Sequence, residues 1–143
     1  MRLSKKGEYA LRAMIALAKN PQQAMTITQI ATDQKLPKKF LEQILLSLKA
    51  TGTARSKAGP HGGYELAEPA RLITVGRILS AVEEPISQEG NDDDSMASAP
   101  TGIHALFEDI RCYARQKLDG VSLQELADQN VSNEDVESFM WYI

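Results

Sequence analysis

Four polar side chains stand close together in the segment PKKFLEQILLSL, and their types suit the recognition of DNA bases. They are Lys38, Lys39, Glu42 and Gln43. A glutamine can bond to both major-groove atoms of adenine, a glutamate can accept from the amino group of cytosine, and a lysine can donate to guanine or to phosphate. The segment predicts a recognition helix for the major groove. For any one of these residues the competing interpretation is an ordinary solvated helix face.

The pattern around these residues predicts a helix-turn-helix. Leu36-Pro37 marks a restart of the chain, because proline suits the first turn of a helix and resists continuation of an earlier one. A short helix over about 29–34, capped by Thr28, precedes this break. We expect the recognition helix to run from about 38 to 50 and to end at Gly52. Its core-facing positions recur at helical spacing and are Leu41, Ile44, Leu45 and Leu48.

A glycine-rich hairpin follows the recognition helix. Two extended segments, near 53–57 and 64–66, flank the turn-rich sequence AGPHGG. Its glycines would let the backbone approach a sugar–phosphate ridge, and His61 would reach into the minor groove. We therefore expect a wing. The predicted DNA contacts, including those of the wing and the first helix, are Lys5, Lys6, Thr28, Lys38, Lys39, Glu42, Gln43, Lys57, His61, Gly62, Gly63 and Tyr64.

The two halves of the 143-residue chain carry opposite charge. Residues 1–64 hold 11 Lys and Arg against 3 Asp and Glu, a net +8, whereas residues 65–143 hold 5 against 16, a net −11. The overall charge of −3 therefore hides a basic half that suits phosphate. Because phosphate contacts release counterions, binding to DNA is expected to weaken as salt rises.

The remaining elements predict a mainly α fold with a small β-hairpin wing, in which a winged helix-turn-helix head precedes a long dimerisation helix. The head spans 1–82, including a first helix over 3–19 and a fourth over 75–82 that Thr74 caps. Residues 83–101 contain GNDDDS and few apolar side chains, so we expect an acidic flexible loop. Residues 102–143 hold the dimerisation helix, a short helix capped by Ser122, and a tail.

An apolar stripe follows the predicted long helix. Packing against the same helix of a second chain would bury the stripe and place two recognition helices about 34–36 Å apart. Packing within one chain is the alternative. The residues of the predicted dimerisation stripe are Ile103, Leu106, Phe107, Ile110, Ala114 and Leu118.

Composition excludes several other classes of protein. Two histidines and the lack of a phosphate-binding glycine loop argue against an enzyme. The apolar run at 13–18 is too short for a secretory signal or a membrane span, so we expect a cytoplasmic protein. Cys112 is the single cysteine, which excludes an internal disulfide. With Arg111 and Arg115 nearby it is a candidate redox thiol, and an inert helix residue is the alternative.

The motifs MRLSKKGEYALRAMIALA, ITQIA, FLEQILLSLKATG, GGYELA and ITVGRILSAVE together resemble the Rrf-two-type winged-helix transcription regulators over nearly the whole chain. The resemblance implies a homodimer with crossed dimerisation helices that reads DNA through Lys39, Glu42, Gln43 and a wing over 57–64. Related wings present an arginine just before Gly-Pro. This chain has Ala58 there, so Lys57 or His61 would have to replace that minor-groove contact.

A second departure from the family concerns its cofactor. Iron–sulphur members hold their cluster with three cysteines between the fourth helix and the dimerisation helix, and residues 83–101 contain none. His104 and Glu8 resemble ligand positions of such members, but thiolates normally anchor these clusters. The resemblance therefore implies no iron–sulphur cluster or other cofactor, with His104 a packing or hydrogen-bonding residue and Glu8 a helix-surface acid.

The chain resembles most the cluster-free members of the family that repress cysteine metabolism, in AVEEPIS, SLQELAD and the ending FMWYI. Those repressors work with cysteine synthase, whose partners commonly insert a terminal isoleucine into its active site. The resemblance implies that Trp141, Tyr142 and Ile143 contact cysteine synthase. The alternative is a tail that packs on the dimer core.

The sequence thus predicts a DNA-binding transcriptional regulator, a repressor that acts as a homodimer on a pseudo-palindromic operator and is linked to cysteine or sulphur metabolism. One alternative is a redox-responsive or iron–sulphur-responsive regulator. Another is a winged-helix module that contacts proteins and has no role on DNA.

Overall fold

The computed structural model describes residues 3–83 and 102–129. The predicted acidic loop, apart from its first residue, and the predicted tail contacts Trp141, Tyr142 and Ile143 lie outside these ranges. In chain order the described elements are α1 (Lys5–Lys19), α2 (Ile27–Gln34), α3 (Lys38–Ala50), β1 (Ala54–Lys57), β2 (Gly63–Leu66), a 3-10 helix (Ala70–Leu72), α4 (Val75–Val82), α5 (Gly102–Asp119) and α6 (Leu123–Asp128). The architecture confirms the predicted mainly α fold with a two-stranded wing.

Helix α1 lies at the centre of the fold and contacts α2, α3, α4 and α6. Its buried face combines small alanines with the larger Met14 and Leu17, so neighbouring helices can approach closely. The helix begins two residues later than predicted. Ser4 is its N-cap, because the Ser4 hydroxyl accepts a hydrogen bond of 2.9 Å from the Gly7 amide.

Helix α3 has the predicted bounds. The four predicted core positions, spaced at three and four residues, are all buried and pack with α1, α2 and α4. The chain then leaves the helix through Gly52, whose positive φ of 74° suits glycine. Buried Thr53 closes the helix end by donating from its hydroxyl to the Leu48 carbonyl at 3.0 Å.

The predicted cap of α2 is wrong. Thr26, and not Thr28, is the N-cap: its hydroxyl accepts from the Gln29 amide at 3.2 Å, and the Gln29 side chain accepts from the Thr26 amide at 2.8 Å. This reciprocal capping box needs a glutamine or glutamate three residues after the cap, which only Thr26 has. Thr28 lies inside the helix and is exposed.

The wing is an antiparallel pair in which Ala54 faces Leu66 and Lys57 faces Gly63. Strand β2 also forms a bridge to the loop before α2. Tyr64 accepts from the Met25 amide at 2.8 Å and donates to the Met25 carbonyl at 2.7 Å. The helix-turn-helix and the wing are therefore joined through backbone hydrogen bonds.

The later helices return to the same core. Thr74 caps α4 and Ser122 caps α6, as predicted. The Ser122 amide and hydroxyl donate to Glu125, and these bonds lower the pKa of Glu125 below its usual value. Leu123 is fully buried within the core cluster that α1 and α3 build. Within the described ranges, none of the helices combines the length and the apolar character that crossing a bilayer requires.

Candidate DNA-binding surface

The first two turns of α3 present a polar surface to solvent. Lys38, Lys39, Glu42 and Gln43 are all exposed. At about 100° per residue, Lys39 and Gln43 stand opposite the buried leucine face of the helix. The core therefore fixes the helix from behind and leaves these side chains available to a ligand. Their chemistry of two cations, one carboxylate and one amide suits base edges and phosphates.

The turn between α2 and α3 is held by a contact that sequence analysis missed. Lys35 adopts the left-handed conformation, with φ of 52°, and Leu36 is buried behind it. The Arg12 guanidinium donates to the carbonyl of Gln34, the last residue of α2. This contact ties α1 to the turn that sets the direction of α3. The only signal for it in the sequence is an arginine inside a largely apolar helix.

Glu8 is the acidic partner of Arg12. Its carboxylate lies 3.4 Å from an Arg12 nitrogen and 3.0 Å from the Lys5 ammonium. Only 7% of Glu8 is exposed, so the expectation of a helix-surface acid was wrong. Burial of a carboxylate is tolerated here because two cations neutralise it. Together, Glu8, Arg12 and the Gln34 carbonyl form what we call the α1 clasp.

Two glycines of the wing are required by close approaches within the fold itself. A Cβ atom at Gly63 would overlap the backbone of Met25, and one at Gly62 would overlap the Lys57 carbonyl. At both positions the space that a side chain would need is therefore filled by the protein's own backbone. The role of these two glycines at a phosphate ridge stays a prediction. Gly59, with a positive φ of 102° and nothing within 4 Å of a built Cβ, is the open position at the hairpin turn.

The polar tip of the wing is exposed at Lys57 and His61. Tyr64 is different, since it is half-buried against the core and its backbone bonds to Met25. Lys5 and Lys6 are exposed in the first turn of α1, where Lys5 also pairs with Glu8. Among the predicted wing contacts, Lys57 and His61 are thus the exposed ones, whereas Gly62, Gly63 and Tyr64 are half-buried.

Helix α5 exposes apolar side chains to solvent. Ile103, Leu106, Phe107 and Ile110 are between 48% and 69% exposed. The two stripe positions nearer the end of α5, Ala114 and Leu118, are half-buried. At its end the helix packs on α4, where a Cβ at Gly76 would overlap the Asp119 carboxylate. In the described part of the chain, the first four positions of the stripe are therefore not covered by intrachain packing.

Cys112 is an exposed free thiol on α5, and the amide of Gln116 lies 3.7 Å from its sulphur. By helical spacing it lies opposite the apolar stripe. The redox hypothesis for this thiol stays a prediction. His104 is also exposed, so within the described residues it does not have the expected packing role.

The donor set does not fit an iron–sulphur cluster. The whole sequence holds one cysteine, and the carboxylate of Glu8 is engaged by Lys5 and Arg12. Thiolates are the usual anchors of such clusters, so a single thiol and an occupied carboxylate are poor ligands. Within residues 3–83 and 102–129, His, Cys, Asp and Glu side chains do not gather into any group of three or more that could hold a metal ion.

Comparison with known proteins decides the family. The Rrf2 family model, described as an iron-dependent transcriptional regulator, matches residues 3–129. The chain belongs to the Rrf2 family. The HTH-type transcriptional regulator CymR of Bacillus subtilis is 34% identical over 145 residues, with both chains covered completely. The regulator IscR of Vibrio campbellii is 30% identical, with 91% of this chain and 79% of that protein covered.

Solved structures give the same result. The structure of CymR (YrzC), the global cysteine regulator of B. subtilis, aligns with a TM-score of 0.76 at 30% identity and covers 91% of this chain and 98% of that one. T. potens IscR aligns with a TM-score of 0.77 at 27% identity, covering 90% and 88%. This member of the Rrf2 family is a DNA-binding transcriptional regulator with a winged helix-turn-helix, and its relatives are regulators and not enzymes.

Proposed function

We propose that this regulator represses transcription as a homodimer, and that each winged helix-turn-helix head enters one half of a pseudo-palindromic operator. The observation that carries this proposal is that the chain has two separate exposed surfaces, a polar face on α3 and an apolar stripe on α5. The first suits base edges and the second suits a copy of itself. A two-fold dimer presents the same helix twice, which is why a palindromic site follows.

The proposed contacts divide by role. Gln43 and Glu42 read bases, because amide and carboxylate groups distinguish adenine and cytosine in the major groove. Lys38 and Lys39 hold phosphate or guanine at the N-terminal end of α3. Lys57 and His61 reach the neighbouring backbone or minor groove from the wing. The role of Thr28 and the first-helix lysines Lys5 and Lys6 is to add backbone contacts.

A salt titration tests DNA binding by the full chain. Purified protein is bound to genomic fragments between 50 and 300 mM salt, and its mass is measured in parallel by sedimentation. We expect dimers whose binding constant falls steeply with salt, since several lysines displace counterions. Capture of a protein partner combined with salt-insensitive or absent DNA binding would instead favour a winged-helix module that contacts proteins only.

The regulated pathway is proposed to be cysteine or sulphur metabolism. The support is the full-length similarity to CymR, whose structure is described as that of the global cysteine regulator of B. subtilis, together with a donor set unsuited to an iron–sulphur cluster. We further propose cysteine synthase as a partner, contacted by the terminal residues Trp141, Tyr142 and Ile143. Footprinting across the genome, with and without cysteine synthase and its substrates, should find sulphur genes and a change in occupancy. Deletion of Ile143 should remove that change.

A further inference from the structure

Helix α3 carries two large apolar side chains that the core does not bury. Phe40 is 62% exposed and Leu46 is 58% exposed, although the four leucine and isoleucine positions of the core-facing side are buried. Single exposed apolar residues are common on protein surfaces and need no explanation. These two residues are distinguished by their position relative to Gln43. Phe40 lies three residues before Gln43, and Leu46 lies three residues after it.

Residues three apart on a helix are surface neighbours, so Phe40, Gln43 and Leu46 form one oblique row. Successive members are about 4.5 Å apart along the helix axis. Base pairs stack about every 3.4 Å, so the row spans roughly three of them. The order of its members is apolar, amide, apolar.

We infer that this row reads three consecutive A·T pairs, with Gln43 on an adenine and with Phe40 and Leu46 each on the 5-methyl group of a flanking thymine. The thymine methyl is the one apolar group that base edges offer in the major groove, and a glutamine amide matches adenine. If cytosine replaced either flanking thymine, its amino group would face an apolar side chain and would lack a hydrogen-bond acceptor. The inference rests on the proposed function and names the sequence class that α3 selects.

The charges around the row agree with this assignment. Lys38 and Lys39 are exposed at the N-terminal end of α3, and residues 1–64 carry a net +8. These cations favour a polyanion over an apolar protein surface as the occupant of this face. The row itself has no charge, so it suits the floor of the groove, whereas the lysines suit its phosphate walls.

Deoxyuridine substitution tests the inference with one chemical group at a time. A binding site is first selected from a random duplex pool with the full-length protein, and each thymine is then replaced by deoxyuridine, which removes only the methyl. We expect replacement to weaken binding roughly fourfold at two thymines in each half-site. This ratio corresponds to the loss of about 0.8 kcal/mol for one buried carbon, given that about 1.4 kcal/mol changes a binding constant tenfold. The two sensitive thymines should flank the position where adenine is preferred.

Three variants assign each contact. Phe40→Ala should remove uracil sensitivity at one flank, and Leu46→Ala should remove it at the other. Gln43→Ala should relax the adenine preference and leave both methyl effects in place. Leu72→Ala is the matched control, because Leu72 is 54% exposed in the 3-10 helix and should retain both effects.

Other outcomes would overturn the inference. Equal binding of thymine and uracil duplexes, with salt-dependent binding intact, refutes the row and leaves the proposed function standing. Loss of the dimer in Phe40→Ala or Leu46→Ala, seen by sedimentation, would assign the row to protein contacts. A wild-type protein that binds no duplex at all would refute both the row and the proposed function.

Discussion

Thr26 and Gln29 hold the first turn of α2 by exchanging two hydrogen bonds. These bonds satisfy amide groups that a helix start otherwise leaves unpaired. Thr28, two residues further on, has an exposed side chain inside the helix. The two threonines have the same side chain, but only Thr26 caps the helix.

Replacement of Thr26 by alanine should lower the free energy of unfolding by about 1 kcal/mol, since the capping hydroxyl is lost. Thr28→Ala should change it by less than about 0.5 kcal/mol, as expected for an exposed helix position. Urea unfolding followed by circular dichroism measures both. Equal losses in the two variants would contradict the assignment of the cap.

At the scale of elements, the α1 clasp connects α1 to the end of α2. Arg12 donates to the Gln34 carbonyl and lies beside the buried carboxylate of Glu8. A buried pair of this kind contributes little compared with a well-packed apolar pair, but removal of Arg12 leaves the buried Glu8 carboxylate with only the exposed Lys5 as its cation. The clasp therefore makes the angle between α2 and α3 dependent on a side chain of α1.

Arg12→Met should cost about 3 kcal/mol of stability and weaken DNA binding, because the buried Glu8 carboxylate keeps only the exposed Lys5 as a cation and the turn before α3 loses its tie. Lys5→Met is the matched control, since Lys5 contacts the same carboxylate from an exposed position, and should cost less than about 1 kcal/mol. Glu8→Leu combined with Arg12→Met should recover part of the loss. Failure of that recovery in chemical denaturation would show that the charge of the buried Glu8 is not the cause of the loss.

A second link between elements joins the segment after β2 to α4. Arg77 donates from its two terminal nitrogens to the two oxygens of Glu68, at 3.1 and 3.2 Å. These hydrogen bonds lower the pKa of Glu68 and raise that of Arg77. The pair thus couples the stability of this region to pH.

The pKa of Glu68 is lower in the folded state than in the unfolded state, where it is about 4.3. The pair therefore stabilises the folded protein fully at pH values above the unfolded-state pKa. This stabilisation is lost as pH falls through the lower pKa of the folded state. Unfolding of the wild type and of Glu68→Gln, measured from pH 7 to pH 3, should show a difference in the free energy of unfolding that shrinks as pH falls. Arg77→Met should behave in the same way. A difference that stays constant across this range would show that charge is not involved.

At the scale of the whole molecule, the chain combines a basic head with a helix, α5, that exposes an apolar stripe. The stripe on α5 leaves four large apolar side chains about half exposed, which is unusual for a surface that stays in water. Assembly of two copies through this stripe would bury them and double the number of phosphate contacts. Affinity for an operator would then depend on a helix that makes no DNA contact itself.

Phe107→Asp should convert the proposed dimer to monomer and weaken operator binding at least tenfold, because a charge would be buried in the interface. Ala105→Asp introduces the same charge on the opposite face of α5, where Ala105 is exposed, and should leave both properties unchanged. Sedimentation and a binding titration check the pair, with circular dichroism as the test of folding. A dimeric Phe107→Asp protein would exclude the stripe as the interface.

Local signals in the sequence were sufficient for the elements that carry recognition. Pro37 and Gly52 delimit α3, its leucine spacing identifies the buried face, and Thr74 marks the start of α4, all as the structure has them. The wing strands differ from prediction by one residue each. The capping box of α2 was also present in the sequence, as a threonine with a glutamine three residues later.

Only the tertiary structure decided the contacts between residues that are far apart in the chain. Arg12 meets the Gln34 carbonyl, Gly63 lies against Met25, and Leu123 enters the core of α1 and α3. No periodicity or cap within one segment encodes such meetings, because burial and close backbone approach depend on how separate elements pack. For this reason helix bounds could be predicted from the sequence, whereas the clasp behind the recognition helix and the role of Gly63 could not.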